Sequence, residues 1–313
     1  MPPMETPLSF WLGFNLAVVV LLLLDLTVLG RRRREPSMLE SIVTTLVWVT
    51  LAIGFGGWLT WHEGSAKGSE FFTGYVIEYS LSVDNLFLFV LIFSNFGIAP
   101  ANQRRLLLWG VIGALVMRGA MIGAGVALLN AFEWIIYLFG AYILYAGFRM
   151  LFHQPEAEVN VERHMVVRFA RRWLPLSSGD HENRFVVREA GRLRFTLLFL
   201  VLVTVELTDF VFALDSIPAI FGVTRDPFIV YTSNVCAVLG LRSLYFVLAR
   251  AVKNLAYLHF GLACVLIFIG AKMVCEDFLP IPTELSLLIV GGILAVAIVA
   301  SLLKPKLKNA PHP

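Results

Sequence analysis

Charge is scarce in this chain: 15% of its 313 residues are Asp, Glu, Lys or Arg, where a soluble domain carries about a quarter. With 58% hydrophobic residues and a mean hydropathy of +0.79, the composition excludes an ordinary soluble globular protein. Cysteine is scarce too. Cys236, Cys264 and Cys275 show neither CxxC pairing nor metal-ligand spacing, so no redox centre or thiolate metal site is expected and all three read as packing residues. Histidine does not fill the gap, because the six histidines lie in loops or near the ends of apolar segments. No HExxH and no GxSxG occurs, which weighs against an intramembrane enzyme. The start, Met1-Pro2-Pro3-Met4-Glu5, lacks the basic stretch of a secretory signal, so the first apolar run is expected to persist as a span.

What the chain has is long apolar runs. Windows of about 20 residues give nine candidate spans, near 9–29, 39–61, 71–96, 106–129, 132–152, 195–221, 228–249, 255–275 and 284–303. The fold class is all-α, a polytopic membrane protein whose first partner is the lipid bilayer. Two N-terminal spans occupy 1–70, a three-helix unit 71–152, a loop 153–194, a second three-helix unit 195–276, and a last span with a basic tail 277–313. Arginine and lysine set the orientation. The Arg31–Arg34 block after the first span places the N-terminus outside. Alternation then puts twenty basic residues on the cytoplasmic side and only Lys67 and Arg225 opposite, with the C-terminus inside. The net charge of +3 is thus a topology signal, and a nucleic-acid partner is not supported. In the loop, Val161–Phe169 reads as a short interfacial helix, and Phe185–Arg188 with Arg192–Phe195 as a small hairpin.

Against this apolar background stand five carboxylates, Glu78, Asp84, Glu206, Asp209 and Asp215. Each costs roughly 2.5–3.5 kcal/mol at a bilayer centre unless a partner or aqueous cavity receives it. Glu78-x5-Asp84-Asn85 recurs as Asp209-x5-Asp215-Ser216. Phe96-Gly97-Ile98 recurs as Phe221-Gly222-Val223, Leu115-Val116-Met117-Arg118 as Leu239-Gly240-Leu241-Arg242, and Phe139-Gly140-Ala141 as Ile269-Gly270-Ala271. Spans three to five and six to eight therefore read as two repeats of opposite orientation, the pattern of secondary transporters that share a mid-membrane site.

Glu78, Ser82 and Asn85 share one helical face, as do Glu206, Asp209, Ala213 and Ser216. Asp84 and Asp215 sit about 100° away from those stripes. A helix break would let the carboxylates converge, and Pro218 is expected to supply one in span six, freeing the Leu214 carbonyl. Such an all-oxygen ligand set suits hard divalent cations, Mn²⁺, Mg²⁺ or Ca²⁺, with Ser82, Asn85 and Ser216 in support and no organic cofactor. The five acids against the embedded bases Arg118, Arg242 and Lys272 sum to −2, the complement of one divalent ion. Asp25 reads as an interfacial helix-end charge.

Glu78-Tyr79-Ser80-Leu81-Ser82-Val83-Asp84-Asn85 and the stretch from Val205 to Phe221 resemble the signature segments of the TerC family. Asp226–Asn234 and Leu239–Arg242 resemble its Alx branch. The similarity runs from about 10 to 300. It implies a bacterial inner-membrane protein of the LysE-type transporter superfamily, manganese export as the activity, and functional weight on the positions of Glu78, Asp84, Glu206, Asp209 and Asp215. The family name also records a link to tellurite resistance. Mn²⁺ export by alternating access, in exchange for protons, is the leading expectation. A membrane-assembly or protein-supply factor with structural buried charges, and a transporter of Ca²⁺ or another cation, are the alternatives. Self-association into a homo-oligomer is left open.

Overall fold

A computed structural model describes residues 7–28, 36–132, 134–152, 177, 184–189, 192–251, 257–275, 278 and 281–303. Nine helices stand among the described residues. They are α1 (Leu8–Val28), α2 (Met38–Glu63), α3 (Ser65–Asn95), α4 (Pro100–Ala131), α5 (Ile135–Phe152), α6 (Leu197–Phe221), α7 (Pro227–Ala251), α8 (Leu258–Val274) and α9 (Thr283–Leu303). Between α5 and α6, β1 (Val186–Glu189) pairs antiparallel with β2 (Arg192–Phe195), Val186 opposite Phe195. That is the hairpin the sequence suggests. The expected helix over 161–169, the Arg31–Arg34 block and the basic tail from Lys304 lie outside the described residues.

Eight of these helices are long and apolar enough to cross a bilayer. The exception is α8, whose 17 residues rise only about 25 Å, short of the roughly 30 Å hydrocarbon core. The polytopic all-α architecture follows from the apolar runs, and the helix ends follow from local chemistry. Ser37 and Glu40 form a reciprocal capping box that starts α2, with bonds of 3.1 and 2.9 Å, satisfying two otherwise orphaned amides. Gly64, at φ +98°, lets α2 turn directly into α3 in a conformation closed to most side chains. Pro100 opens α4, where its missing N–H costs nothing.

The central helix is α7, with 78% of its span buried against 11% for α1. The exposed side of α1 carries Leu8, Leu12, Leu16, Val19 and Leu23, an apolar stripe suited to lipid. The inter-helix contacts carry an internal symmetry. α3 packs on α7 and α4 on α6, α3 meets α6, α4 meets α7, α5 packs most heavily on α8, and α5–α6 and α3–α8 also touch. Exchanging α3, α4 and α5 for α6, α7 and α8 leaves that set unchanged.

Two contacts order the helix ends. The Lys67 ammonium donates to Asp226 at 2.7 Å, joining the start of α3 to the start of α7. Arg250 donates to the Pro36 carbonyl at 2.9 Å, joining the end of α7 to the start of α2.

The expected break at Pro218 does not occur. α6 is helical through Phe221, and α3 is continuous across Glu78 and Asp84. Pro218 lies in the last turn of α6, where the Gly222 amide closes the helix on the Pro218 and Ala219 carbonyls at 3.2 Å. Pro218 leaves the Leu214 carbonyl without its helical donor, and the helix nonetheless continues to Phe221.

Candidate functional site

Glu78 on α3, Arg118 on α4 and Asp209 on α6 meet inside the bundle. Their exposures are 0%, 1% and 5%. Arg118 Nε donates to Asp209 Oδ2 at 3.1 Å and Nη2 to Asp209 Oδ1 at 2.9 Å, while Nη1 donates to Glu78 Oε1. This is a forked, charge-assisted arrangement that only a guanidinium makes. The two acids occupy corresponding positions of the repeated motif, so one arginine bridges a pair related by the internal symmetry. Formally the triad carries −1. Ser82 adds a weak donor to Glu78 Oε1 at 3.4 Å, and the other carboxylate oxygen, Glu78 Oε2, is buried with no hydrogen-bond partner.

One turn before Asp209, Glu206 faces α4. A Cβ at Gly113 would overlap the Glu206 carboxylate, so this glycine makes the room in which the carboxylate lies. Glu206 and Asp209 share a cavity of about 20 Å³ with Arg242, Leu86, Gly110 and Val238. That is space for roughly one water molecule. The cavity therefore lies between α3, α4, α6 and α7, the helices whose contacts interchange under the symmetry.

The remaining predicted residues distribute unequally. Asp215 turns away from the Asp209 face, as a continuous helix requires, and accepts a hydrogen bond of 2.7 Å from Tyr142 of α5. Asn85 and Ser216 are buried, and the Ser216 hydroxyl lacks a partner. The side chain of Asp84 lies outside the described residues. Among the described residues no three His, Cys, Asp or Glu side chains gather to hold a metal ion, so the expected convergence of all five acids is not present in this conformation. The cause is the unbroken α6, which splays Asp215 from Asp209.

The charge-balancing residues also need correction. Arg118 does neutralise the acid pair. Arg242, its counterpart in the second repeat, instead pairs with Asp25 of α1 at 2.5 Å, both side chains about 10% exposed or less. Asp25, in the last turn of the described α1, is thus also the ion partner of Arg242. Lys272 donates to Ser286 of α9 at 3.1 Å. Of the three bases, Arg118 thus pairs with two of the acids, while Arg242 lines the cavity of Glu206 and Asp209 with its ion pair to Asp25.

Two residues not expected from the sequence, Gly113 and Tyr142, contact the acids here, and Asp25 takes a role that was not expected of it. Gly113 falls on the α4 stripe with Gly110, and that spacing of small residues was the available signal.

The integral membrane protein TerC family model matches residues 63–309. An uncharacterized membrane protein of Myxococcus xanthus is 46% identical over 305 residues, covering 97% of this chain and 95% of the relative. The proteins named "Putative membrane-bound redox modulator Alx" of Escherichia coli K12 and Salmonella typhi are each 44% identical, with 94% of both chains covered. No solved structure matches.

Proposed function

Because this chain belongs to the TerC family of integral membrane proteins, we propose that it moves a hard divalent cation, Mn²⁺ foremost, out of the cytoplasm by alternating access. The observation that carries this reading is the symmetric buried pair, Glu78 and Asp209, held by a single arginine beside a cavity that also receives Glu206. Acids kept at such depth against their desolvation cost mark ion pathways. Oxygen donors favour hard cations over zinc or copper.

In this conformation the Arg118 guanidinium occupies the position between carboxylates that an incoming cation would contest. The second repeat offers a rival, since Arg242 lines the same cavity while Asp25 holds its guanidinium. Two oppositely oriented repeats reach their second state by exchanging conformations. In that state Arg242 takes the acid pair and Arg118 lets it go. A carboxylate must be free of its proton to bind metal, so cation and proton compete for the same oxygens and counter-transport of protons follows. The excess of arginine and lysine on one side supports an N-terminus outside the bacterial inner membrane and a cytoplasmic C-terminus. On that orientation the Lys67–Asp226 ion pair falls at the outer end.

The redox role named for the relatives is met by the same chemistry, since moving a redox-active ion such as Mn²⁺ alters the balance on either side of a membrane. The test is clearance of manganese from loaded cells. Glu78→Gln and Asp209→Asn variants are expected to retain the metal, and clearance at the parent rate would remove this reading.

A further inference from the structure

Asn234 of α7 is fully buried, and neither its carbonyl oxygen nor its amide nitrogen has a hydrogen-bond partner. Its neighbours differ. The Thr232 and Ser233 hydroxyls donate back to the Phe228 and Ile229 carbonyls at 2.7 and 2.8 Å. Leaving a buried polar group unpaired costs about 1–3 kcal/mol, and an unpaired side chain of this kind calls for a reason. A leucine has the same branched skeleton without that cost.

The surroundings supply a reason. Gly74 of α3 lies against Ser233, Gly119 of α4 against Tyr231, and Gly113 of α4 against Glu206. α3 runs parallel to α7, α4 runs antiparallel to it, and α4 runs parallel to α6. Counting from those contacts at about 1.5 Å per residue, Asn234 is level with Asp209 and within roughly 5 Å in depth of Glu78 and Arg118. Its direction agrees. Val238 and Leu241, at i+4 and i+7 on the same helical face, line the cavity that holds Glu206, Asp209 and Arg242. Asn234 therefore continues the cavity-facing stripe of α7 by one turn, at the depth of the acid pair.

We propose that Asn234 is a further ligand of the transported ion. Its amide oxygen is a neutral donor that joins Glu78 Oε2, the other unpartnered oxygen at this level, around a divalent cation. The inference rests on the transport reading above and adds α7 to its ligand set. A neutral oxygen among carboxylates holds a hard cation without adding charge, which suits an ion that must also leave.

The experiment uses the purified full-length protein in detergent with Mn²⁺ as the probe. Metal-free unfolding is followed alongside Mn²⁺ affinity by titration calorimetry. Asn234→Leu should bind Mn²⁺ at least tenfold more weakly than the parent. Asn234→Asp, which keeps an oxygen at the position, should stay within about threefold of the parent or bind more tightly. If Asn234→Leu folds poorly, Asn234→Ala replaces it, with the same weakening expected. Parent-like affinity in Asn234→Leu or Asn234→Ala, beside acid variants that lose binding, overturns this inference and spares the transport reading. A parent protein that binds no divalent ion overturns both.

Discussion

Replacing Arg118 with methionine removes the group that joins Glu78 of one repeat to Asp209 of the other. The guanidinium makes two bonds to Asp209, of 3.1 and 2.9 Å, and one to Glu78, with arginine and Glu78 almost wholly buried. Methionine fills much of the same volume, so the loss is mainly electrostatic: two buried carboxylates are left facing each other. Breaking a buried ion pair from one side costs about 3–5 kcal/mol, and Arg118→Met should lose at least that much stability in metal-free detergent solution. If a divalent cation takes the place of the guanidinium, Mn²⁺ should return part of the loss. Saturation at one hundred times Kd contributes about 2.7 kcal/mol. The parent should gain less, because its arginine must first be displaced. The assay is chemical or thermal unfolding with and without Mn²⁺, against K⁺ at matched ionic strength. Neutralising the acids as well, with Glu78→Gln and Asp209→Asn, should restore stability toward the parent and abolish the response to Mn²⁺. A loss below about 1 kcal/mol in Arg118→Met, or a Mn²⁺ response no larger than that to K⁺, would refute the reasoning.

Asp25→Asn strands the buried Arg242 and should cost about 3 kcal/mol or more. Adding Arg242→Met should recover most of it in unfolding measurements, the non-additivity expected of two residues in contact. Gly113→Ala forces the Glu206 carboxylate off the α4 backbone. Overpacking of this kind costs about 1–3 kcal/mol, and Mn²⁺ transport should fall at least tenfold, read by ⁵⁴Mn²⁺ flux per folded protein. Tyr142→Phe removes the 2.7 Å bond to Asp215 and should lower stability by about 1 kcal/mol, since the phenol is partly exposed. A loss indistinguishable from zero in unfolding would show that water replaces that bond freely.

Much of the fold is legible in hydropathy because the bilayer demands apolar runs of fixed length, and α1 to α7 and α9 meet that demand. α8 falls short of it, since its helix starts only at Leu258. The buried acids are legible for a related reason: their cost in lipid makes Glu78 and Asp209 conspicuous. Their shared partner is also legible, because Arg118 sits in the repeated Leu-x-x-Arg motif. Pairing across distant helices is not. Arg242 and Asp25 are 217 positions apart, and no local pattern tells which acid an arginine will choose. Pro218 stands three residues from the end of α6 and leaves the helix continuous there. The roles of Gly113 and Asn234 escaped notice because a glycine's role depends on what fills the space beside it, and an asparagine's role depends on whether a neighbour satisfies it.

Uptake of ⁵⁴Mn²⁺ into liposomes that contain only this protein tests the central claim most directly. The parent should carry Mn²⁺ saturably down an imposed gradient, with Glu78→Gln and Asp209→Asn reduced at least tenfold at equal reconstitution. Flux of parental size in both variants, or none from the parent under any metal or proton gradient, would contradict the account.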